Sequence, residues 1–450
     1  MKRNISILII LGVICVAFFG CIQSTSISTA TSNVFNATMI PSLEPSSTDE
    51  ILTTGTQTTT AEPEFPMIMR EMTFVENNDI CQSIPFEDFS FDGDLLIRTM
   101  HVGYDEINYM HESLGSSENF FTIENTLDGM WTTSDGVWVV ALTQYPAESV
   151  NQLLPDRWYL INVKTGETYT SEFGDVNIFQ TAWEIRSFDQ DSVQMLIFPR
   201  SSNMDRYFSE LQILELPSGN YENAGFDTDT ADIEYPGKWN PNISFSEDYR
   251  YVIYFTHGVS WDNVHTIMDI QTNTIVWQAP RSPSWVIEDA LWEWAPGKNV
   301  IAFTWNNPNN SDFAWQGELF LLDLDNRTWE LVSQFSRGEE NEYYVDPICW
   351  SKDGDKLLVD FIGFEGSDIE EGVYIFDFEK NLIIQGCDER GRVKNAFWSD
   401  DGSEVMFTIS DNNYDSVVLM DANTGNAESS QYPNNLDILF WDQSTISTYD

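Results

Sequence analysis

Trp350-Ser351-Lys352-Asp353-Gly354 recurs as Trp398-Ser399-Asp400-Asp401-Gly402, and each copy leads directly into an apolar stretch. In both copies Asp and Gly favour a tight turn, because Asp hydrogen-bonds nearby backbone N–H groups and Gly adopts positive φ. Looser copies stand upstream at a period of roughly 40–57 residues, the range of propeller blades. They are Phe89-Ser90-Phe91-Asp92-Gly93, Thr133-Ser134-Asp135-Gly136, Phe188-Asp189-Gln190-Asp191, Phe245-Ser246-Glu247-Asp248 and Trp294-Ala295-Pro296-Gly297. The chain is therefore an internal repeat.

A second motif recurs in phase with the first and consists of an apolar strand followed by a polar turn. Its copies cover residues 159–166, 211–219, 267–273, 319–326 and 417–425. In the clearest unit, residues 346–386, four short strand signals follow one another at 347–350, 356–361, 373–378 and 382–385. Because no amphipathic helix of ordinary length interrupts the repeats, an all-β domain of four-stranded antiparallel blades is predicted.

Together the two motifs resemble the WD-like β-propeller repeats of the TolB type, whose units read Trp-Ser-Pro-Asp-Gly and, later, Asp-x-x-(Thr/Ser)-Gly. The resemblance covers the chain from about Phe86 to the C-terminus and is close at Trp350 and Trp398. The copy at Trp294 lacks the Asp, and Phe replaces Trp in three other copies. The resemblance implies a fold but no activity, because propellers carry unrelated functions.

First strands of seven blades are predicted at Phe89, Trp131, Phe188, Phe245, Trp294, Trp350 and Trp398. We expect one propeller over residues 67–450 with seven blades, and six to eight are compatible with the pattern. A partial copy, Phe440-Trp441-Asp442-Gln443, belongs to the C-terminal segment 436–450. That segment is expected to close the ring against residues 67–75 or 86–97, because a ring leaves its end sheets with unpaired edges. In the eight-bladed alternative, residues 67–75 supply the missing outer strands.

The N-terminus reads as an export signal over residues 1–21, with basic Lys2 and Arg3 before an apolar run. Its end, Gly20-Cys21, resembles the bacterial lipobox, although Phe18 stands where that motif usually has Leu. The resemblance implies a lipoprotein with an acyl anchor of the palmitate type on Cys21. An uncleaved anchor and a plain secretory signal are the alternatives.

Residues 22–66 are rich in Ser, Thr and Pro and nearly free of aromatic residues, so we expect a disordered tether. The expected location is extracytoplasmic, with the domain lipid-anchored to the cell membrane. Three cysteines remain in the mature domain: Cys349 in a strand, and Cys81 and Cys387 in loops where they could pair. No Cys-x-x-Cys occurs, which argues against redox and zinc-ribbon sites.

The chain is strongly acidic, with 21 Lys and Arg against 72 Asp and Glu and a formal net charge of −51. This balance argues against nucleic acid, because a protein that neutralises phosphates presents clustered basic side chains. A monomeric domain with a protein, peptide or carbohydrate ligand is expected. The only membrane contact foreseen is the lipid anchor.

Binding residues are expected on the face that carries the loops between second and third strands and between blades, because these loops are irregular and aromatic. They cover residues 145–156, 200–208, 257–265, 306–315, 363–371 and 411–415. The candidate ligand-contacting side chains are Arg200, Arg206, His257, Trp261, His265, Trp305 and Trp315. The three tryptophans of this set could stack on a sugar ring or a peptide side chain.

No catalytic residue, metal site or cofactor is predicted. His257 and His265 stand eight residues apart without a third ligand in recognisable spacing. Calcium at the Asp-rich turns 323–326 and 353–355 is the alternative, although neither matches a known loop pattern. The nearest approach to a nucleophile elbow, residues 258–262, lacks the second Gly.

The sequence therefore predicts a membrane-tethered propeller that acts as a non-catalytic ligand- or protein-binding module. One alternative is a glycan-active hydrolase or lyase that uses carboxylates with Arg or His, and it predicts acids converging with a basic side chain. A second alternative, a structural partner of a cell-envelope complex, predicts a broad apolar patch on one face.

Mass spectrometry of the mature N-terminus tests the proposed lipid site. If Cys21 is the modified first residue, the terminal peptide will begin at that cysteine and carry the mass of its acyl groups. An unmodified N-terminus at any other residue would contradict the lipoprotein prediction.

Overall fold

The computed structural model describes residues 65–75, 77, 81–101, 104–113, 117–124, 127–133, 135–143, 157–172, 182–187, 193–197, 212–223, 243–257, 263–279, 292–306, 316–332, 343–363, 371–387, 391–410, 415–433 and 435–443. Over these residues the chain is all-β, without an α-helix and with one 3₁₀ turn at Phe86–Asp88. The strands up to the middle of the chain are β1 (Met67–Met69), β2 (Thr73–Val75), β3 (Gln82–Ser83), β4 (Ser90–His101), β5 (Tyr104–Ser113), β6 (Ser117–Glu124), β7 (Leu127–Thr132), β8 (Trp138–Thr143), β9 (Arg157–Asn162), β10 (Thr168–Glu172), β11 (Ala182–Ser187), β12 (Val193–Ile197), β13 (Gln212–Leu216) and β14 (Asn220–Asn223). The remaining strands are β15 (Ile243–Phe245), β16 (Tyr251–His257), β17 (Asn263–Asp269), β18 (Thr274–Gln278), β19 (Trp292–Trp294), β20 (Val300–Asn306), β21 (Gln316–Asp323), β22 (Thr328–Leu331), β23 (Tyr343–Trp350), β24 (Lys356–Gly363), β25 (Gly372–Asp377), β26 (Leu382–Gln385), β27 (Arg392–Trp398), β28 (Glu404–Ser410), β29 (Asp415–Asp421), β30 (Ala427–Tyr432) and β31 (Leu436–Asp442).

Within the described ranges, β4–β31 form seven four-stranded antiparallel units. Unit 1 has the order β31-β4-β5-β6, and the following units take four consecutive strands each: β7–β10, β11–β14, β15–β18, β19–β22, β23–β26 and β27–β30. A short parallel contact between β21 and β23 also joins units 5 and 6. The predicted all-β class and the four-stranded antiparallel units are confirmed, and the four strand signals of the clearest repeat correspond to β23, β24, β25 and β26.

In four of the units, the turn after the first strand is held by one hydroxyl and one carboxylate. Ser351 Oγ donates to Asp353 Oδ1 at 2.6 Å and accepts the N–H of Lys356 at 2.9 Å. The same two bonds are made by Thr133, Ser246 and Ser399 in three other units. Because backbone N–H groups of the turn are satisfied in this way, the recurring Ser-x-Asp pattern stabilises the hairpin.

The third strand of most units ends on a side chain that accepts backbone N–H groups from the next turn. Asp377 Oδ1 accepts the N–H of Lys380 at 2.8 Å, and Asp421 Oδ1 accepts those of Asn423 and Thr424. Asn162, Asp269 and Asp323 act in the same way. These are Asx turns, so the second repeated motif is also explained by local backbone hydrogen bonding.

The buried cores lie between consecutive units. Clusters of buried apolar side chains join units 1 and 2, 2 and 3, 4 and 5, 5 and 6, and 6 and 7. A further cluster joins unit 7 to unit 1, where Leu95 and Trp441 pack with Met406 and Val417. Since neighbours cover both faces of the sheets in units 1, 2, 5, 6 and 7, strands of these units read as apolar runs rather than as alternating ones.

The motif tryptophans link neighbouring first strands. Trp350 Nε1 donates to Glu293 O at 3.0 Å, and Trp398 Nε1 donates to Cys349 O at 3.2 Å. In each case the acceptor is the residue just before the motif tryptophan of the preceding unit. Trp350 and Trp398 also lie in the buried cores between units 5 and 6 and between units 6 and 7.

The partial motif at Phe440-Trp441 is not an orphan, and Phe89 does not begin a first strand. β31, which contains Trp441, occupies the first position of unit 1 and pairs with β4, so the segment beginning at Phe89 supplies the second strand. Trp441 Nε1 donates to Asp92 O at 2.8 Å. Gly93 has φ of +98°, and a Cβ there would lie 2.3 Å from Asp442 O, so this junction requires glycine. Of the two partners expected for the C-terminal segment, the structure shows the second.

The N-terminal residues 65–84, here called the strap, add a fifth strand to each of three consecutive units. β1 pairs in parallel with β22, β2 with β26 and β3 with β30. The eight-bladed alternative is wrong in its use of residues 67–75, because these strands extend existing sheets and do not complete a blade of their own.

The strap is fixed by polar, apolar and covalent contacts. Arg70 binds Glu330 at 2.6 Å and Phe378 O at 3.1 Å, and Met72 is buried between units 5 and 6. A disulfide joins Cys81 to Cys387 at the end of β26. The pairing that the sequence left open is thus present, and Cys349 is a free thiol.

We predict that Trp350→Phe lowers the free energy of unfolding by about 1–3 kcal/mol more than Trp294→Phe. Both changes remove the same ring atoms, but Trp294 Nε1 has no hydrogen-bond partner among the described residues. Only the first change therefore removes an indole hydrogen bond between two units. Chemical denaturation of the two variants measures the difference, and equal losses would contradict a stabilising role for the indole bond.

Candidate functional site

Two faces of the units differ in what their polar groups do. The turns after first strands and the hairpins after third strands lie together, because Phe378 N donates to Asp355 O and Ala422 N to Ser403 O. We call this side the motif face. The ends of second strands and the starts of third strands lie at the other end of each sheet, here called the opposite face. The predicted separation of the two sets of turns is confirmed.

On the motif face, exposed charged side chains connect one unit to the next. Lys298 of unit 5 reaches Asp355 of unit 6 at 2.7 Å, and Lys352 of unit 6 forms an ion pair with Asp400 of unit 7. Glu247 of unit 4 accepts the N–H of Gly297 of unit 5 at 2.6 Å. Side chains of the motif turns are therefore already engaged in bonds to the neighbouring unit.

The residues predicted to contact ligand are only partly described. Arg200, Arg206, Trp261 and Trp315 lie outside the described residues. His257 and His265 stand on neighbouring strands, where His257 pairs with Asn263 and His265 with Phe255, and Trp305 pairs with Glu318. All three lie at the opposite-face ends of units 4 and 5, as expected, and their part in binding stays a prediction.

The described residues place a different polar cluster on the opposite face, at the seam between unit 7 and unit 1. This seam cluster consists of Arg98, Asp105, Lys394, Asn395, Asp415, Tyr432 and Asp437. Its members come from β4, β5, β27, β29, β30 and β31. None of the seven was among the predicted ligand-contacting side chains, although Asp415 ends the loop 411–415 that was expected on this face. One further signal was polar residues inside apolar strands, as at Arg98 after Leu95-Leu96-Ile97.

The seam cluster is a chain of ion pairs and hydrogen bonds. Arg98 binds Asp105 at 2.8 Å within unit 1, and Lys394 binds Asp415 at 3.1 Å within unit 7. Asn395 bridges the two units, because its Nδ2 donates to Asp437 Oδ1 at 2.9 Å. Asp437 stands directly opposite Arg98 in the β31–β4 ladder.

Burial controls the electrostatics of this cluster. Burial raises the pKa of Asp437, while the charges of Arg98 and Lys394 and the Asn395 hydrogen bond act in the other direction. Burial followed by the charge of Asp415 raises the pKa of the Tyr432 hydroxyl, so that this group stays protonated. Three carboxyls, two cations, an amide and a phenol therefore meet on the opposite face, with both donors and acceptors for a polar ligand.

A second pair of buried carboxyls lies on the opposite face of unit 6. Asp346 and Asp360 stand opposite each other in the β23–β24 ladder and are 7% and 3% exposed. Burial raises the pKa of Asp360 to about 6, against the lowering effects of the Val393 N–H, at 3.4 Å, and of Arg392. Because Val393 belongs to unit 7, this carboxyl also ties two units together.

The motif face carries an acidic cleft of ≈ 890 Å³ between units 7 and 1. Four carboxylates line it, Asp92, Glu404, Asp421 and Glu428. Burial, then the charge of Asp92, raises the pKa of Glu404. Over the described residues, no group of three or more His, Cys, Asp or Glu side chains is arranged to hold a metal ion. Calcium at an Asp-rich turn stays an untested prediction.

Comparisons with known proteins return similar folds at low identity. No family model matches the sequence, and no curated protein matches it. Among solved structures, TolB from Acinetobacter baumannii is 12% identical, with 77% of this chain and 68% of that chain covered and a TM-score of 0.34. The β-propeller domain of the Trilobed protease from Pyrococcus furiosus is 14% identical, with 66% and 83% covered and a TM-score of 0.41. An oligogalacturonate lyase in complex with manganese is 12% identical, with 75% and 85% covered and a TM-score of 0.43.

The similar structures thus include β-propeller proteins, TolB among them. At these values of identity and TM-score they carry no argument about activity. No helix of the described ranges is long and apolar enough to span a membrane.

We predict that Asp360→Asn stabilises the protein at pH 7 by about 1–3 kcal/mol and has little effect at pH 4. Burial in the folded state raises the pKa of the Asp360 carboxyl to about 6. The stability that the protonated carboxyl contributes is therefore complete below its unfolded pKa, and it is lost as the pH rises through 6. Chemical denaturation at the two pH values measures the effect.

Asp401→Asn is the matched control with the opposite sign. Hydrogen bonds from the Ser403 hydroxyl and N–H lower the pKa of Asp401, so its contribution is present above its unfolded pKa and is lost as the pH falls. This variant is expected to lose stability at pH 7. A loss of stability in Asp360→Asn at pH 7 would contradict the conclusion that ionisation of Asp360 destabilises the folded protein.

Proposed function

We propose that the seven units are the blades of one propeller whose ring closes between β31 and β4, and that this propeller is an extracytoplasmic, lipid-tethered binding module. The core shared by units 7 and 1 supports the closure, since it packs Trp441 against unit 7 as other cores pack consecutive units. Its ligand lies on the opposite face and is held without covalent chemistry.

The observation that carries the binding function is the contrast between the two faces. Motif-face side chains such as Lys298 and Lys352 bind the neighbouring unit. The seam cluster instead combines buried Asp105 and Asp415 with Lys394, whose side chain is 47% exposed. A charged group fixed by a buried partner and still open to solvent is preorganised to bind a polar ligand.

The disulfide supports the extracytoplasmic location. Cys81–Cys387 joins the strap to unit 6. Disulfides persist in oxidising compartments and are rare in the cytosol. Together with the predicted export signal over residues 1–21, this favours a mature chain outside the cytoplasm, held by the lipid on Cys21.

The ligand class that fits the seam cluster best is a carbohydrate or a polar peptide. Carboxylates such as Asp437 accept hydrogen bonds from hydroxyl or amide groups, while Lys394 and Asn395 donate to oxygen. A nucleic acid is disfavoured because the formal net charge is −51.

A glycan-active hydrolase or lyase is the second candidate function. Its support is Asp437, a carboxyl whose pKa is raised by burial in the company of Asp415 and Arg98. Glycoside chemistry uses a carboxyl of raised pKa as the general acid. In that case Asp437→Asn would abolish turnover of a bound glycan while binding persists.

We predict that Lys394→Ala weakens ligand binding roughly tenfold, because an exposed charged donor is lost. A glycan array and a pull-down against envelope proteins, both with the full chain, identify the probe. Titration of the glycan or protein that responds then measures the affinity of each variant.

Lys352→Ala is the matched control for that measurement. Its side chain is 51% exposed, close to the 47% of Lys394, and it too pairs with an aspartate, but it lies on the motif face. Binding unchanged by Lys394→Ala but lost in Lys352→Ala would overturn the assignment of the opposite face. A sugar response without a protein response would exclude the envelope-complex alternative.

A further inference from the structure

Exposed apolar side chains concentrate on the strap. Among the described residues, seven large hydrophobic side chains are exposed, and five of them belong to the strap. These five are Met67 at 44%, Ile68 at 45%, Met69 at 72%, Phe74 at 41% and Val75 at 37%. The other two, Tyr104 and Ile275, stand on different units. Such a concentration marks an interaction surface, because soluble proteins rarely expose contiguous apolar side chains without a function.

The geometry of β1 makes this surface a projecting edge. β1 pairs only with β22 among the described strands, and its other edge is open. Consecutive strand residues point to opposite sides of a sheet, so exposure of Met67, Ile68 and Met69 in a row means that both sides of β1 are uncovered.

The edge is held in place from both ends. Leu331 O accepts the N–H of Arg70, whose guanidinium binds Glu330, and buried Met72 follows. Trp329 Nε1 donates to Phe65 O at 3.1 Å on the other side of β1. The apolar side chains are therefore presented on a fixed backbone, which lowers the entropy cost of binding.

A basic group stands beside the edge in a chain that is otherwise acidic. The Arg327 guanidinium lies 5.4 Å from the centroid of the Phe65 ring and forms no ion pair with the described residues. Arg327 itself is exposed. A guanidinium presents planar donors that match phosphate oxygens, so apolar side chains and a phosphate-binding group adjoin at this corner of unit 5.

The strap overlaps the last two residues of the predicted tether, 22–66. Only residues 22–64 separate Cys21, the predicted lipid site, from Phe65. A flexible chain of that length has an r.m.s. span of about 35–40 Å, so the membrane would stay within reach of the strap. Tethering raises the effective concentration of the lipid surface, and a weak contact then suffices for docking.

We propose that the strap docks on the phospholipid surface to which the chain is tethered, with Met67, Ile68, Met69 and Phe74 at the interface and Arg327 among the phosphates. This inference rests on the lipid anchor of the proposed function. Docking through the strap would orient the propeller with the outer edges of units 5 and 6 toward the membrane. A second copy of the chain fits less well, because two chains of net charge −51 repel each other.

The test places a reporter on the strap of the full, lipidated chain. Met69→Cys is labelled with an environment-sensitive fluorophore, and the chain is reconstituted into phosphatidylcholine vesicles that contain brominated lipid. Docking predicts a blue shift of the emission and its quenching by bromine. Ile275→Cys is the matched control, because Ile275 is 48% exposed on β18, with which no strap strand pairs, and its reporter should show neither change.

Each outcome bears on a different statement. If the chain floats with the vesicles and the Met69 reporter remains unquenched, docking is overturned while the anchor stands. If the chain does not float at all, the anchor and the docking both fail. If the blue shift occurs without bromine quenching and vanishes when the vesicles carry single chains, the strap binds a second copy and the membrane proposal is overturned.

Discussion

The pairing of β31 with β4 is the constraint on which the rest of the structure depends. It brings the last strand of the chain into the first unit, places Trp441 against Asp92, and leaves room only for glycine at position 93. The same pairing sets Asp437 opposite Arg98 and within reach of Asn395, so the seam cluster exists because the two ends of the fold meet there. A chain without β31 would expose the first strand edge of unit 1 and the core that unit 7 shares with it.

The two faces differ in the contacts that their polar side chains make. On the motif face, Ser-x-Asp turns and Asx turns satisfy their own backbone groups, and lysines bind the next unit along. Such groups are committed to the fold and are poor candidates for ligand contact. On the opposite face, charges are held in pairs by burial and remain partly open to water, an arrangement that can exchange hydrogen bonds with a ligand at small conformational cost.

The strap pairs with the outer strands of three units and leaves a new unpaired strand edge of its own. By adding β1, β2 and β3 to β22, β26 and β30, it covers outer strands that would otherwise stay unpaired. The disulfide to Cys387 fixes it to unit 6. The new outer edge carries Met67, Ile68 and Met69, whose exposed side chains do not belong to the core of any unit. In the sequence, the predicted tether leads directly into this strap.

The class of fold, the four-stranded unit and the place of the turns follow from local sequence patterns. Ser351 with Asp353, and Asp377 with Lys380, act over two to five residues, so their signals are local and repeat in phase. The sequence also identified which face is structural, because regular turns occupy one side of every unit. It narrowed the partner of the C-terminal segment that contains Trp441 to residues 67–75 or 86–97, and the structure shows the second.

Contacts between distant segments become visible only in the folded chain. Cys81 and Cys387 are 306 residues apart, and Trp441 and Asp92 are 349 apart. No local pattern encodes such pairings, because a strand's hydrophobic alternation specifies which face is buried and leaves its partner open. The seam cluster escaped sequence reasoning for the same reason: Arg98, Lys394 and Asp437 are unremarkable one by one, and they become a site only when the first and last units are joined.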